Sequence, residues 1–237
     1  MARAKFTTTF LDKTPMSGGL ASFRFAKPRG FEYVAGQWFV LSIPSPTGTL
    51  SKPFTYSSSP TEPFLMMTTR LSGSDYKNAL DALQPGTEVE MDGPGGRFTL
   101  DPARERVAFL AGGVGVTPIR SMLRFLADAP AATTPRLVAF YGNLDETHIP
   151  FAEEFVEFEQ KLGLRTVHVL TQPGEAWTGH KGFITADVIK AELDDPTAWT
   201  FYTSGPPPMI EAMKKVLEIC GVPAGNQIFE YFGAPGK

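Results

Sequence analysis

A single cysteine, Cys220, stands in a chain of 237 residues. It excludes an intrachain disulfide and leaves no thiolate set for an iron–sulfur cluster or a cysteine-ligated zinc. Three scattered histidines, His148, His168 and His180, lack the i,i+4 spacing of a helical metal site, so no metal is expected. Long charge runs are missing too: 22 basic and 25 acidic side chains give a formal charge of −3. Without basic stretches interleaved with aromatics, nucleic-acid binding is not expected. No apolar run reaches membrane-spanning length, and MARAKFTTTF has no apolar signal core, so no transmembrane segment and a cytoplasmic location are expected. What is present is 42% hydrophobic residues, ordinary for a soluble protein and sufficient at this length for two medium domains.

The hydrophobic period changes near residue 101. Before it, FTTTF, ASFRFAK, QWFVLSI, PFTYSSS, PFLMMTTR and TEVEMDG are short segments rich in aromatic, threonine and branched residues, separated by Gly, Pro, Ser and Asp. This pattern reads as an antiparallel β-barrel. The interruption is residues 74–83, where Tyr76, Leu80 and Leu83 share a helical face and Ser74 is the expected cap. From residue 106 apolar strands alternate with amphipathic helices, as in RVAFLAGG then TPIRSMLRFLAD, and PRLVAFYG then PFAEEFVEFEQKL. That alternation predicts a parallel sheet covered by helices on both sides. The fold expected is therefore two-domain: a barrel over residues 1–101, then an α/β domain over 102–237, with the boundary near Asp101–Glu105.

The segment RVAFLAGGVGVTP, residues 106–118, joins an apolar strand to a helix through glycines. Glycine lets the backbone turn tightly and approach a ligand, and the first turn of the next helix offers unpaired N–H groups to an anion. Thr117 is placed to cap or to contact phosphate, and Pro118 suits the first helical position. Gly113 and Gly115 form GxG, but Pro118 stands where the dinucleotide fingerprint has its third glycine, so the match is incomplete.

Taken with KPFTYSS, GSDYKNAL, GPGGRF and SGPPPM, this segment gives nearly the full chain a resemblance to the ferredoxin–NADP reductase superfamily. The resemblance implies a flavin on the barrel, a nicotinamide nucleotide on the α/β domain and electron transfer where the two meet. It assigns Lys52, Pro53, Phe54 and Thr55 to the flavin, in the place of an Arg-x-Tyr-Ser pattern. Lys52 replaces a bidentate guanidinium by a point charge, Phe54 keeps the aromatic face without a hydroxyl, and Thr55 keeps the hydroxyl for the flavin N5 region. Ser74, with Lys77 or Arg70 as cation, falls on the flavin pyrophosphate; Gly93, Gly95 and Gly96 are expected to shape the crossing out of the barrel.

Gly112, Gly113, Gly115, Thr117 and Pro118 fall on the nucleotide, as do Gly205, Pro206 and Met209. Ser204 replaces a family cysteine and is expected to orient the nicotinamide. Glu230, Tyr231 and Phe232 lie on a terminal strand whose equivalent reaches the flavin edge; alternation puts Tyr231 opposite Phe232, and sequence leaves open which ring covers flavin. Glu230 is assigned an orienting or proton-supplying role.

The implied activity is hydride transfer from NADH to bound FAD, then electrons to a protein such as ferredoxin, an oxygenase component or a heme protein, or to a small acceptor. FMN and NADPH stay open. NADH is favoured because VHVLTQPGEAW lacks lysine and arginine and Leu144 replaces a frequent arginine; Lys181 or Arg120 is the remaining source of a cation for a 2′-phosphate. Two alternatives stand. One is a ferredoxin-dependent NAD(P)+ reductase that receives an acidic partner on Lys5, Arg24, Lys27 and Arg29. The other is a noncatalytic regulatory subunit of a redox complex.

Overall fold

In the barrel, inward residues alternate with outward ones, as in Phe39, Leu41 and Ile43, which are fully buried between partly exposed neighbours. The computed structural model of the chain describes residues 3–46, 48–128 and 134–233. Its first strands are β1 (Ala4–Met16), β2 (Leu20–Ala26), β3 (Trp38–Ser45), β4 (Gly48–Thr55) and β5 (Phe64–Arg70), followed by helix α1 (Asp75–Asp81) and β6 (Glu88–Gly95). They pair antiparallel in the order β4-β3-β6-β1-β2-β5. Past β4 the backbone returns to β5: the Ser57 and Ser58 N–H groups donate to the Met66 carbonyl at 2.8 and 3.3 Å, closing the sheet. Phe10, Phe23, Phe25, Leu65, Met67 and Met91 fill the interior with β3, each burial contributing about 1.5–3 kcal/mol. Tyr76 and Leu80 bury the face of α1, and the Tyr76 hydroxyl donates to the Leu41 carbonyl at 3.0 Å.

The strand expected through Ser59 ends at Thr55. The serines that follow leave the pairing with β3 because their backbone and hydroxyl groups find partners on β5: Ser58 Oγ accepts from Met66 N at 2.9 Å, and Ser57 Oγ lies 3.0 Å from Thr68 Oγ1. The first half of β4, GTLSK, was not foreseen, since its residues resemble a loop; it is held by register with β3, Leu41 opposite Lys52 and Ile43 opposite Leu50.

The second half forms β7 (Arg106–Gly112), α2 (Thr117–Asp128), β8 (Arg136–Asn143), α3 (Ala152–Leu162), β9 (Arg165–Leu170), β10 (His180–Lys181), α4 (Ala186–Glu192), β11 (Thr200–Gly205), α5 (Pro207–Ile219) and β12 (Gln227–Tyr231). The strands are parallel in the order β10-β9-β8-β7-β11-β12. On one face Tyr141 packs on Phe155 of α3, with ring centroids 5.1 Å apart. On the other, Ala108, Leu110, Phe140, Val169 and Phe201 pack with Ile189 of α4 and Met213 and Leu217 of α5. The two-residue β10 was not expected from sequence.

The compact units do not divide at a single point of the chain. One comprises Met1–Thr99 with Thr117–Phe125, the other Leu100–Val116 with Leu126–Lys237. The first turns of α2 thus belong with the barrel, although β7, which leads into them, belongs to the parallel sheet. No described helix is long and apolar enough to cross a membrane.

Candidate functional site

Strand order reverses at β7: β8, β9 and β10 lie to one side of it, β11 and β12 to the other. In open α/β sheets a ligand binds beyond the carboxyl ends of the strands at such a reversal. The glycine turn occupies this place, and its glycines serve different ends. Gly113 has φ of 51° and nothing within 4 Å of where a Cβ would stand, so its bare backbone is open to a ligand. A Cβ on Gly115 would lie 2.3 Å from the Ser204 carbonyl oxygen, and one on Gly112 would lie 3.2 Å from Met209 Sδ. Of these two, both assigned from sequence to nucleotide contact, Gly115 is required by packing against β11, while a Cβ on Gly112 would press on the Met209 thioether of α5. Met209 likewise crowds Gly205, with Sδ 2.8 Å from the Cβ position there.

Ser204 is fully buried, and its hydroxyl donates to the Gly115 carbonyl at 2.6 Å. The hydroxyl expected from sequence to orient nicotinamide thus bonds the backbone of the glycine turn and ties that turn to β11. Pro206, Pro207 and Pro208 open α5 without a single N–H donor among them. An anion therefore gains little from α5, which leaves the glycine turn as the fitting phosphate position on this sheet. Thr117 and Pro118 are both buried at the start of α2.

In the barrel, Phe54 and Thr55 end β4 beside α1. Thr55 is 9% exposed, and its hydroxyl has no hydrogen-bond partner among the described residues. Lys77 Nζ donates to Thr69 Oγ1 at 2.5 Å and stands 4.4 Å from the centre of the Phe54 ring. Burial, helped by repulsion from Lys52, pushes the Lys77 ammonium down to about 8, and no carboxylate of the described residues offsets it. Two cations brought together without a counter-charge fit a phosphate. Ser74 accepts from Lys77 N at 3.4 Å and so serves as the cap of α1. Arg70, the other cation named for this phosphate, is turned away: its guanidinium donates to the Gly18 carbonyl. Pro53 is exposed in the strand opposite Val40.

The terminal strand separates its side chains by alternation. The Tyr231 hydroxyl donates to Glu211 Oε1 at 2.7 Å and its ring lies under Lys214. Tyr231 is thereby held on α5. Glu230 and Phe232 take the other side; the Phe232 N–H donates to the Gly205 carbonyl at 2.8 Å. Burial without a compensating cation raises the Glu230 carboxyl to about 7.

Sequence reading missed a polar network within the barrel unit. Arg120, named as a cation for a 2′-phosphate, is buried and pairs bidentately with Glu62, with Nη2 to Oε1 at 3.0 Å; its Nη1 also donates to the Ser57 carbonyl at 2.9 Å. Ser121 Oγ donates to the Ser58 carbonyl at 2.5 Å. Arg120 and Glu62 are 58 residues apart, so no local pattern signals the pair. In the proposed basic patch, Lys5 pairs with Glu90, Arg24 pairs bidentately with Asp12, Lys27 donates to the Pro60 and Glu62 carbonyls, and Arg29 is exposed. Gly95 and Gly96 pack on Trp38, where a Cβ would stand 3.1 and 2.6 Å from the indole. Among the described residues no group of His, Cys, Asp and Glu is suited to a metal.

A family model described as an oxidoreductase NAD-binding domain matches residues 109–215. Ferredoxin–NADP reductase B of Sorangium cellulosum is 33% identical over 171 residues, spanning 70% of this chain and 69% of that protein. NADH-cytochrome b5 reductase 1 of Coccidioides immitis is 28% identical over 231 residues, covering 92% and 75%. In structure, the Amycolatopsis cytochrome P450 reductase GcoB superposes with a TM-score of 0.84 at 20% identity, over 99% of this chain and 71% of that one.

Proposed function

Since this chain belongs to the ferredoxin–NADP reductase superfamily and is an oxidoreductase of that family, we propose that it passes a hydride from NADH to bound FAD and then electrons to an acceptor of the heme or iron–sulfur class. The observation that carries the flavin half is the Lys52–Lys77 pair, uncompensated by any described carboxylate, with the Lys77 ammonium over the Phe54 ring. FAD, when bound, supplies the step from a two-electron donor to one-electron acceptors. Lys52 and Lys77 would hold its phosphates, Phe54 would offer an aromatic face, and Thr55 would hydrogen-bond near its reactive nitrogen.

On the sheet, Gly113 admits the nucleotide pyrophosphate and Ser204 keeps the turn in place through Gly115. Alignment of the two rings is the protein's main contribution to such a transfer. Glu230, protonated below pH of about 7, is suited to hold a proton at its carboxyl oxygen, and Phe232 shares its side of the strand.

Anaerobic titration of the purified protein with NADH and, separately, NADPH tests the reading through the visible flavin band. Rapid bleaching by NADH is expected. A protein that takes up FAD but is bleached by neither nucleotide would favour a noncatalytic subunit; one driven only by reduced ferredoxin would favour the opposite direction of flow.

A further inference from the structure

The assignment of nicotinamide to the β11 side and of pyrophosphate to the turn after β7 leaves one place for the adenosine half. It must extend over the carboxyl ends of β8 and β9, since these lie on the other side of β7. Two loops meet there. The Thr171 N–H donates to the Asn143 carbonyl at 3.1 Å and the Gln172 N–H to the Leu144 carbonyl at 2.7 Å. Above these bonds the Glu146 carboxylate reaches across and accepts from the Gly174 N–H with both oxygens, each at 3.2 Å. Glu146 is exposed, yet its carboxylate is moored to the neighbouring loop. The adjacent Asp145 is used differently: it accepts from Thr147 N, Thr147 Oγ1 and His148 Nδ1, closing its own loop. Residues 143–149 and 171–179 contain no lysine or arginine, and Arg120 is buried with Glu62 in the barrel unit; Lys181, exposed on β10 opposite Leu170, is the cation next to these loops.

We propose that Glu146 sets nucleotide choice: its moored carboxylate accepts hydrogen bonds from a free 2′,3′-ribose diol and repels a 2′-phosphate. A carboxylate has two oxygens with about four acceptor positions, so Gly174 does not exhaust it. Dinucleotide sites on parallel sheets separate NAD from NADP by this opposition of an acid to the diol and a cation to the phosphate. Here the acid comes from the β8–α3 loop and is set in position by the β9–β10 loop.

This inference rests on the nucleotide site proposed above, and the test separates the two. Binding of adenosine 5′-phosphate and adenosine 2′,5′-bisphosphate to the flavin-loaded protein is measured by calorimetry for the wild type, Glu146→Gln and Glu146→Lys. The wild type is expected to prefer the monophosphate. Glu146→Lys should shift the affinity ratio toward the bisphosphate by about tenfold or more, with Glu146→Gln between. The NADPH to NADH ratio of kcat/KM should move in the same direction. If NADH bleaches the flavin but both variants leave the ratio within about twofold of wild type, Glu146 is not the determinant. If the wild type binds neither ligand, the nucleotide site itself is misplaced and this inference falls with it.

Discussion

Removal of the Arg120 guanidinium should cost the barrel more stability than any surface change. The Arg120 side chain is 5% exposed and that of Glu62 13%. Arg120→Leu would strand the Glu62 carboxylate, with Ser59 N at 2.6 Å as its remaining donor, and would leave the Ser57 carbonyl without the Arg120 bond. Stranding one member of a buried pair costs about 3–5 kcal/mol, whereas replacing both by apolar residues is close to neutral. The expected pattern is a large loss for Arg120→Leu and a smaller one for Arg120→Leu combined with Glu62→Leu. Urea unfolding measures it, but with two compact units a single global transition is not assured. Trp38 lies in the barrel unit and Trp177 and Trp199 in the other. Fluorescence in a Trp177→Phe, Trp199→Phe background therefore follows the barrel alone. A single-variant loss below about 1 kcal/mol, or strictly additive losses in the double variant, would refute the reasoning.

Flavin affinity should fall as pH rises through about 8, because the free Lys77 ammonium deprotonates there; a bound phosphate favours the charged form, so binding above that pH takes up a proton. Lys77→Met should weaken FAD binding and flatten the dependence, as read by flavin fluorescence between pH 6 and 10. Ser204→Ala leaves the Gly115 carbonyl without its donor, at a cost of about 1–3 kcal/mol, and should raise the KM for NADH while flavin content stays constant. The activity supported by protonated Glu230 should decline as pH passes about 7; Glu230→Gln should remove that limb of the kcat profile. Thr55→Ala should slow single-turnover flavin reduction more than it lowers thermal stability, and an unchanged rate in a folded variant would exclude the Thr55 role.

Legibility from sequence followed the range of the interactions. The strand and helix periods, the Ser74 cap and the turn before α2 are local, and each is visible in a few consecutive residues. The end of β4 at Thr55 was not, because it depends on bonds from Ser57 and Ser58 to Met66 across the barrel. Gly112, Gly113 and Gly115 look alike in a motif; only the positions of Met209 and Ser204 show which of them face packing and which faces open space. Tyr231 and Phe232 could be placed on opposite sides by alternation, but the bond that holds Tyr231 on α5 goes to Glu211, 20 residues upstream. The mooring of Glu146 on Gly174 joins two loops 28 residues apart and has no sequence signature.

The interleaving of the units constrains how such a protein can be cut and recombined. A fragment ending at residue 101 would contain every barrel strand, but it would lack Arg120 and Ser121, which the Ser57 and Ser58 carbonyls and Glu62 require. The transplantable module is therefore discontinuous: the barrel plus residues 117–125. A chimera that takes its α/β half from a relative inherits that relative's helix in place of this one, and the acid at position 62 then selects which donors are compatible.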